Sequence, residues 1–380
     1  MSAGLKVVVD GIIYQHQSHG GISRLYSEIL PRMCNLESLL DIEILTIGGV
    51  KQPLPDHKRI FHRPVPQVAQ ILRPWRLWKP FIPHIQHFVK DIWTGRGDGK
   101  IWHSTYYTLP PERWTGRQVV TVVDMIHERF PKLFNRPRDE PFREQKQRCV
   151  LAADAVICIS ETTRQDIQRF YGLDSNSIYV VALACSDVFR PLDQRSEELR
   201  MSTEQPFLLY VGSRSHYKNF NMLIQAYSVW LHRKEVALVV VGKPWTADEV
   251  RRLMEWRIQD RVHLLEDVDD EELCRLYNQT AAFVYPSLYE GFGIPLLEAL
   301  ACGCPVIASR IPSTIEVAGD CPIYFEAGDV DDLVHVFDVA LAEGRNSERV
   351  QAGFEQVKCY SWDKTAKQTL DVYHALSNLE

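Results

Sequence analysis

The 380-residue sequence lacks several features that would place it in a familiar class. No window reaches the roughly 18 uncharged apolar residues of a membrane-spanning helix, and the apolar run in the N-terminal MSAGLKVVVD is too short for a secretory signal peptide. We therefore expect a cytoplasmic protein. The nine cysteines show no paired spacing, and Cys302-Gly-Cys304 is too tight for a redox or zinc motif. This pattern predicts buried free thiols.

Motifs for metals and common cofactors are also absent. The 13 histidines form no HExxH or comparable cluster, so we expect no protein-bound metal. No GxGxxG follows the first apolar run and no P-loop is present, which disfavours a dinucleotide dehydrogenase and an ATPase. A pI near 6.1 and the lack of an RNA- or DNA-binding motif argue against a nucleic-acid partner.

Uninterrupted apolar segments recur between amphipathic stretches, which is typical of strands covered by helices on both faces and therefore of parallel sheets. The polar stretch Asp187–Gln205 divides the chain, so we predict an α/β protein with one domain in residues 1–190 and another in residues 203–362. The predicted strands are Leu5–Val9, Ile42–Ile47, Val119–Val123, Ala155–Ile159, Ile178–Ala182, Phe207–Val211, Ala237–Val241, Val262–Leu264, Ala281–Tyr285 and Pro305–Ala308.

The segment Glu290-Gly-Phe-Gly-Ile-Pro-Leu-Leu-Glu298 carries two carboxylates around a glycine-rich turn that opens a predicted helix. The glycines allow close approach of the backbone to a ligand, and the N–H groups of a helix N-terminus favour a diphosphate. Both glutamates are placed to accept hydrogen bonds from sugar hydroxyls. The motif predicts a sugar-nucleotide site, and a structural turn with solvated glutamates is the alternative for the motif alone.

Two further loops carry residues suited to a phosphorylated ligand. The predicted strand Phe207–Val211 is followed by a polar loop with Arg214 and Lys218 and then by a helix, which places both cations at the carboxyl edge of a sheet. In the first half of the chain, Gly20 and Gly21 precede a predicted helix.

Together these segments resemble the family 4 retaining glycosyltransferases, whose GT-B fold has two Rossmann-like domains with parallel sheets facing across a cleft. The resemblance covers nearly the whole chain. It implies that residues 363–380 return to the first domain, 1–190, and complete the acceptor side. The matching segments are Gly20–Ile22, Ile159–Glu161, Tyr210–Arg214, Tyr217–Asn219, Pro286–Ala299 and Ala301–Val306.

The resemblance also implies roles on the donor side. Arg214 and Lys218 stabilise the leaving diphosphate, Glu290 contacts the donor sugar, and Glu298 binds the ribose hydroxyls. No cofactor is expected besides the donor substrate, a nucleotide diphosphate sugar. The other residues of the predicted donor site are Gly20, Gly21, Gly212, Ser213, Val268, Gly291, Phe292, Gly293 and Ile294.

The implied activity is metal-independent transfer of a hexose, with retention, to the hydroxyl of a glycan or lipid-linked glycan. The loop Ser-Arg-x-x-Tyr-Lys-Asn and Tyr289 look like bacterial mannosyl or rhamnosyl transferases of surface polysaccharide assembly, which favours GDP-mannose. A UDP- or dTDP-sugar donor stays open. So do a UDP-sugar epimerase of the same fold and a non-catalytic protein that binds sugar nucleotides.

The acceptor side departs from the family pattern. Relatives have a His-Asp pair where this chain has Val123 and Asp124. Asp124 and His127 are the candidate catalytic residues of this loop. His127 either takes over the role of the missing histidine or is an ordinary loop residue. The remaining acceptor-side candidates are His103, Tyr106, Tyr107 and Ser160, of which Ser160 is equally suited to cap a helix.

Residues 57–100 are basic and rich in aromatics, with nine lysines and arginines against two aspartates, a local net charge of +7. This segment is suited to peripheral contact with the anionic inner face of the plasma membrane, with Trp75, Trp78 and Phe81 inserted. Because several prolines break any long helix there, an insertion packed on the core is the alternative.

Overall fold

The computed structural model describes residues 4–17, 20–71, 82–193 and 205–377. The chain divides into two compact units, one made of Met1–Leu183 with Trp362–Glu380 and the other of Ala184–Ser361. The boundary precedes the end predicted for the first domain, residue 190, because Phe189 is buried in the core of the second unit against Tyr277. Residues 194–204 of the predicted linker lie outside the described part.

The first unit is built on a seven-stranded sheet with the order β3-β2-β1-β4-β5-β6-β7. Every pairing is parallel, as the apolar runs predicted. β3 was not predicted, because this edge strand is mostly exposed and includes Arg63 and Pro64. The strands are β1 Lys6–Asp10, β2 Asp41–Ile47, β3 Ile60–Val65, β4 Lys100–Ser104, β5 Arg117–Val122, β6 Ala155–Cys158 and β7 Ile178–Val180.

Helices cover this sheet, and their buried residues recur three or four positions apart, so that they form one face of each helix. The helix α15 returns from the end of the chain and packs on α2, where Arg32 pairs with Asp363 at 3.1 Å. The helices of the first unit are α1 Ile12–His16, α2 Gly21–Leu36, α3 Val68–Ile71, α4 Ile82–Thr94, α5 Ile126–Arg129, α6 Asp139–Ala152, α7 Glu161–Tyr171 and, numbered in chain order, α15 Trp362–Ser377.

The second unit contains a six-stranded parallel sheet with the order β10-β9-β8-β11-β12-β13. Successive residues point to opposite faces, so Leu208 and Tyr210 join one core cluster while Phe207 and Leu209 join the other. The strands are β8 Phe207–Val211, β9 Ala237–Val241, β10 Val262–Leu265, β11 Ala282–Tyr285, β12 Val306–Ser309 and β13 Ile323–Phe325.

Helices lie on both faces of the second sheet, so both units are Rossmann-like and the predicted α/β class is confirmed. In the described ranges no helix is long and apolar enough to cross a membrane. The helices of the second unit are α8 Phe220–Val229, α9 Ala247–Glu255, α10 Asp270–Gln279, α11 Ile294–Ala301, α12 Pro312–Ala318, α13 Val330–Glu343 and α14 Glu348–Val357.

Candidate functional site

The loops after β8 and β11 lie side by side at the carboxyl edge of the second sheet. The two strands are adjacent and the strand order reverses between them, which is where ligands bind in open α/β sheets. The backbone N–H of Leu288, in the loop after β11, donates to the carbonyl oxygen of Tyr217, in the loop after β8, at 2.7 Å. The fold therefore brings together the loops that carry most of the predicted donor residues.

Lys218 and Glu290 form an ion pair between these loops. The Lys218 Nζ lies 2.7 Å from the Glu290 Oε1, and 17% and 11% of the two side chains are exposed. The ammonium also lies 5.5 Å from the ring centroids of Tyr217 and Tyr285. Burial and the Glu290 charge raise the pKa of Tyr285 well above its ordinary value, so its phenol stays protonated. The ion pair thus joins Lys218, which is predicted to stabilise the diphosphate, to Glu290, which is predicted to contact the donor sugar.

Arg214, in the same loop after β8, binds residues that follow β9. Its Nε lies 2.7 Å from the Glu249 Oε1, and its Nη2 donates to the carbonyl oxygens of Lys243 and Pro244 at 2.8 and 2.9 Å. The guanidinium carbon lies 4.4 Å from the centroid of the Trp245 ring. Arg214 is therefore fixed against α9 and the loop that precedes it, near the ends of β8 and β9.

Three predicted donor residues lie in the loops at the ends of β8 and β10. Gly212 has φ 133°, a conformation that favours glycine, and its N–H donates to the Val241 carbonyl at 3.0 Å. The Ser213 carbonyl accepts a hydrogen bond from the Tyr210 hydroxyl at 2.6 Å. Val268, in the loop after β10, is half-buried against the core.

The glycine-rich turn after β11 leads into α11 as predicted. Gly293 is the N-cap with φ 111°, and Ile294 is the first helical residue. An added Cβ at Gly293 would lie 3.5 Å from the Tyr285 hydroxyl, so the turn passes close to the residue that underlies the ion pair. Gly291 and Phe292 are buried. Because the cap is glycine, no cap side chain covers the N-terminus of α11.

Glu298 lies on α11 and is buried. The Tyr277 hydroxyl, from α10, donates to its Oε2 at 3.3 Å. Burial and the Glu298 charge raise the pKa of Tyr277 well above its ordinary value. Glu298 is thus anchored from a neighbouring helix, and its role toward a ribose stays a prediction.

Gly20 and Gly21 open α2 in the first unit, with Gly20 extended at φ 171° as the N-cap. The Gln17 side chain lies against Gly20, and its Oε1 accepts a hydrogen bond from the Ser23 N–H at 3.3 Å. A side chain from the preceding loop therefore covers part of the helix N-terminus that the sequence assigned to the diphosphate.

His103 does not reach an acceptor, contrary to the prediction. It lies within β4, completely buried, with its Nδ1 2.5 Å from the Tyr373 hydroxyl and its Nε2 2.8 Å from the Thr121 Oγ1. Burial lowers the pKa of His103 to about 3. The strand alternation places this side chain on the face covered by α2 and α15, where it links the sheet to the end of the chain.

Two other acceptor-side candidates are also buried. Ser160 caps α7, since its Oγ accepts a hydrogen bond from the Thr163 N–H at 3.0 Å, in agreement with the structural alternative. Tyr107 is buried, and its carbonyl accepts a hydrogen bond from the Gln145 Nε2 at 2.8 Å. Tyr106 is half-buried beside it, with ring centroids 5.5 Å apart.

His127 is half-buried on the short helix α5. Its ring lies 4.3 and 4.8 Å from the ring centroids of Phe134 and Phe142, and its Nδ1 is buried with no hydrogen-bond partner among the described residues. Burial lowers the pKa of His127, so the imidazole is biased toward its neutral form. The Asp124 Oδ1 accepts from the Ile126 N–H at 3.1 Å, so this carboxylate helps to begin the helix.

A buried ion pair that the sequence did not suggest supports α5. The Lys146 Nζ lies 2.8 Å from the Glu128 Oε2 and donates to the Asp124 carbonyl at 2.7 Å. The Tyr171 hydroxyl donates to the Glu128 Oε1 at 2.6 Å. These bonds fix the turn that carries Asp124 and His127. A lysine and a glutamate 18 residues apart give no local signal of such a pair.

Across the part of the chain that the structure describes, no group of three or more His, Cys, Asp or Glu residues could hold a metal ion. The positive charge nearest to Glu290 comes from Lys218. Two Rossmann-like units, with cations and carboxylates at a switch point, define an α/β protein suited to a nucleotide ligand.

Comparisons with known proteins agree with this class. The chain matches Glycosyltransferase Family 4 over residues 40–184 and Glycosyl transferases group 1 over residues 193–353. It is 29% identical over 286 residues to the O-antigen chain mannosyltransferase B of Escherichia coli, covering 73% of this chain and 74% of that protein. The chain therefore belongs to the family 4 glycosyltransferases of the GT-B fold and is a hexosyltransferase.

Two further comparisons define the extent of the similarity. The serotype-specific mannosyltransferase WbdA of Escherichia coli is 29% identical over 294 residues, which cover 72% of this chain and 36% of that protein. The chain thus spans about a third of the length of WbdA. The sucrose-phosphate synthase of Thermosynechococcus elongatus shares the fold, with a TM-score of 0.77, 18% identity, and coverage of 99% of this chain and 100% of that structure.

Proposed function

We propose that the enzyme moves mannose from GDP-mannose to a hydroxyl of a growing surface polysaccharide or lipid-linked glycan, with retention of configuration. The observation that carries this proposal is the Lys218–Glu290 pair, 2.7 Å apart at the switch point of the second sheet. The similarity to an O-antigen chain mannosyltransferase supports mannose as the sugar.

Charge development during the reaction explains the pair. When the bond between the anomeric carbon and the diphosphate oxygen breaks, negative charge grows on the leaving group, and a fixed ammonium stabilises that state more than the ground state. Lys218 supplies this charge, so the proposal needs no protein-bound metal. Glu290, oriented by the same ammonium, accepts hydrogen bonds from the sugar hydroxyls and sets the position of the ring.

Retention follows from attack on the face that the leaving group vacates. The acceptor oxygen bonds to the anomeric carbon, and its proton passes to an oxygen of the departing diphosphate. A covalent glycosyl enzyme is not proposed, because Glu290 is held by Lys218 and Glu298 is buried under Tyr277. A stable glycosyl adduct in the intact mass, or a product of inverted configuration, would contradict this mechanism.

Donor identity is tested by thermal shift with GDP, UDP and dTDP and their sugars. A ligand at 100 times its Kd adds about 2.7 kcal/mol of stability, so the correct nucleotide raises the melting temperature clearly. We expect GDP and GDP-mannose to do so. If a UDP or dTDP compound alone raises it, the GDP assignment is wrong, and if none does, the site assignment is wrong.

Product analysis by NMR separates the alternatives of different class. Transfer requires an acceptor and releases a nucleoside diphosphate. An epimerase converts the donor sugar without any acceptor, and a non-catalytic binding protein leaves the donor intact. We expect mannose on the acceptor in α linkage, and no change of GDP-mannose when the acceptor is omitted.

On the acceptor side, we propose that His127 contacts the acceptor or the donor sugar in place of the missing family histidine. Its unpartnered Nδ1 and its neutral bias suit a hydrogen bond to a hydroxyl. His127→Ala should raise the acceptor KM or lower kcat at least tenfold, and His127→Asn should restore part of the loss. If both variants match the wild type, His127 is an ordinary loop histidine.

We also propose peripheral contact with anionic membrane through residues 57–100. Phe88 and Ile92 are exposed four residues apart on one face of α4, and the next residue, Trp93, is also exposed, within a segment of net charge +7. Residues 72–81, with the aromatics first assigned to insertion, lie outside the described ranges. We expect Ile92→Glu with Trp93→Glu to abolish flotation with phosphatidylglycerol vesicles.

The matched control for flotation is Leu231→Glu. This leucine belongs to the second unit and is 83% exposed, so the variant adds a charge at an accessible apolar position outside the segment. Vesicle binding should be unchanged in Leu231→Glu. Equal losses in both variants, or no flotation of the wild type, would show that α4 is not a membrane contact.

A further inference from the structure

The guanidinium of Arg214 is fixed on two of its three nitrogens and unpartnered on the third. The Nε and Nη2 contact the Glu249 Oε1 and Oε2 at 2.7 and 3.2 Å, a bidentate pair, and 5% of the side chain is exposed. The Nη1 is buried and has no hydrogen-bond partner in the described structure. A buried donor without a hydrogen bond costs free energy, so a bound ligand that accepts from it is one explanation for its presence.

Glu249 is itself held by the start of α9. It is the third residue of a capping box, in which the Thr246 N–H donates to the Glu249 Oε2 at 2.8 Å and the Glu249 N–H donates to the Thr246 Oγ1 at 3.3 Å. Burial opposes ionisation, but hydrogen bonds from Arg214 and Thr246 leave the pKa of Glu249 below its ordinary value. The carboxylate is therefore a rigid, charged support.

The unpartnered Nη1 lies near the ends of two adjacent strands, each of which is followed directly by a glycine. Gly212 and Gly242 directly follow β8 and β9, and a Cβ added at Gly242 would lie 3.0 Å from this nitrogen. Gly242 has an ordinary φ, so close approach rather than conformation accounts for the glycine. This edge also carries the loop that leads to Lys218 and its pair with Glu290.

We propose that Glu249 is a positioning residue that holds Arg214 so that its Nη1 donates to an oxygen of the donor diphosphate. The inference rests on the proposed function, since it assigns a partner to one group of the donor site. A guanidinium suits this task because its donors lie in a fixed plane that matches phosphate oxygens. Fixing two nitrogens in advance removes the entropy cost of ordering the side chain when the donor binds.

The experiment measures the Kd of GDP, UDP, guanosine and uridine by calorimetry. The variants are Glu249→Ala, Arg214→Ala, their combination, and Glu249→Gln, in which the amide preserves the capping box while removing the charge. We expect Glu249→Ala to weaken the nucleoside diphosphate about tenfold and Glu249→Gln to weaken it less. The affinity for the nucleoside should not change, because it lacks the diphosphate.

Two controls separate positioning from folding. Asp329→Ala removes the side chain that caps α13, where its Oδ1 accepts from the Asp332 N–H at 3.0 Å, and does not touch the Arg214–Glu249 pair, so it should lower the melting temperature without changing the preference for diphosphate over nucleoside. In the Arg214→Ala background, Glu249→Ala should have no further effect on the diphosphate. With GDP-mannose as substrate, the donor KM should rise more in Glu249→Gln than kcat falls.

Three results would overturn the inference while leaving the proposed function intact. They are a diphosphate affinity within twofold of wild type in Glu249→Ala, an equal loss of nucleoside affinity, and an undiminished loss when Arg214 is already alanine. If the wild-type enzyme binds neither GDP nor UDP, the proposed function itself is wrong and the inference is rejected with it.

Discussion

Replacing Lys218 by methionine removes the ammonium and keeps a side chain of similar length. At 2.7 Å between Nζ and Oε1, with both side chains mostly buried, the attraction between the charges is on the order of 6 kcal/mol for an effective dielectric constant of about 20. Losing one preorganised donor at a developing charge costs about 2.7–4 kcal/mol. We therefore expect kcat to fall about 100- to 1000-fold, with a smaller change in the donor KM.

The variant also leaves Glu290 without its cation, and that side effect must be separated from the loss at the leaving group. A cycle with Glu290→Gln does so: if Lys218 acts on the diphosphate directly, Lys218→Met still lowers kcat about 100-fold when residue 290 is glutamine. The assay is release of nucleoside diphosphate at saturating donor and acceptor. No further loss in the double variant, or a loss below tenfold in the single variant, about 1.4 kcal/mol, would refute this role.

Three further predictions concern the scaffold. Lys146→Met should destabilise the first unit by about 3–5 kcal/mol in urea denaturation, because Glu128 is left buried and charged, and adding Glu128→Gln should recover part of the loss. His103 stays neutral in the folded protein but binds a proton below about pH 6.5 in the unfolded chain. The free energy of unfolding should therefore be about 2 kcal/mol lower at pH 5 because of His103, and the His103→Gln variant should lack this dependence on pH. Gly293→Ala forces alanine to φ 111° and should cost about 1–3 kcal/mol and weaken donor binding, as urea denaturation and calorimetry would reveal. Unchanged stability in any of these variants would contradict the corresponding contact.

The sequence predicted the sheets well because a buried parallel strand is an unbroken apolar run. Phe207–Val211 and Ala237–Val241 match β8 and β9 at both ends. Three strands are missing from the prediction: β3, an edge strand with little to bury, β4, in which polar residues follow Ile101 and Trp102, and β13, which has three residues. An apolar run in the sequence is thus enough to identify a buried strand. The position of a strand in the sheet depends on which other strands pair with it, and the local sequence does not reveal that.

The candidate site was predictable where its residues belong to turns, and less so where they depend on distant partners. The Glu290–Glu298 motif and Lys218 each follow a strand, so their shared edge could be inferred. The partners of Arg214 and His103 lie 35 and 270 positions away, at Glu249 and Tyr373. The spacing Thr246-x-x-Glu249 does indicate a capping box, but not that the carboxylate also binds an arginine.

The return of α15 to the first unit has a consequence for how the protein is made. During synthesis the second unit, Ala184–Ser361, leaves the ribosome with all of its strands, whereas the first unit must wait for residues 362–377. Until Tyr373 arrives, His103 lacks one of its hydrogen-bond partners and α2 lacks the helix that packs on it. The half of the chain translated first is therefore the half completed last, and a released chain truncated before residue 362 should expose the first unit, but not the second, to proteolysis.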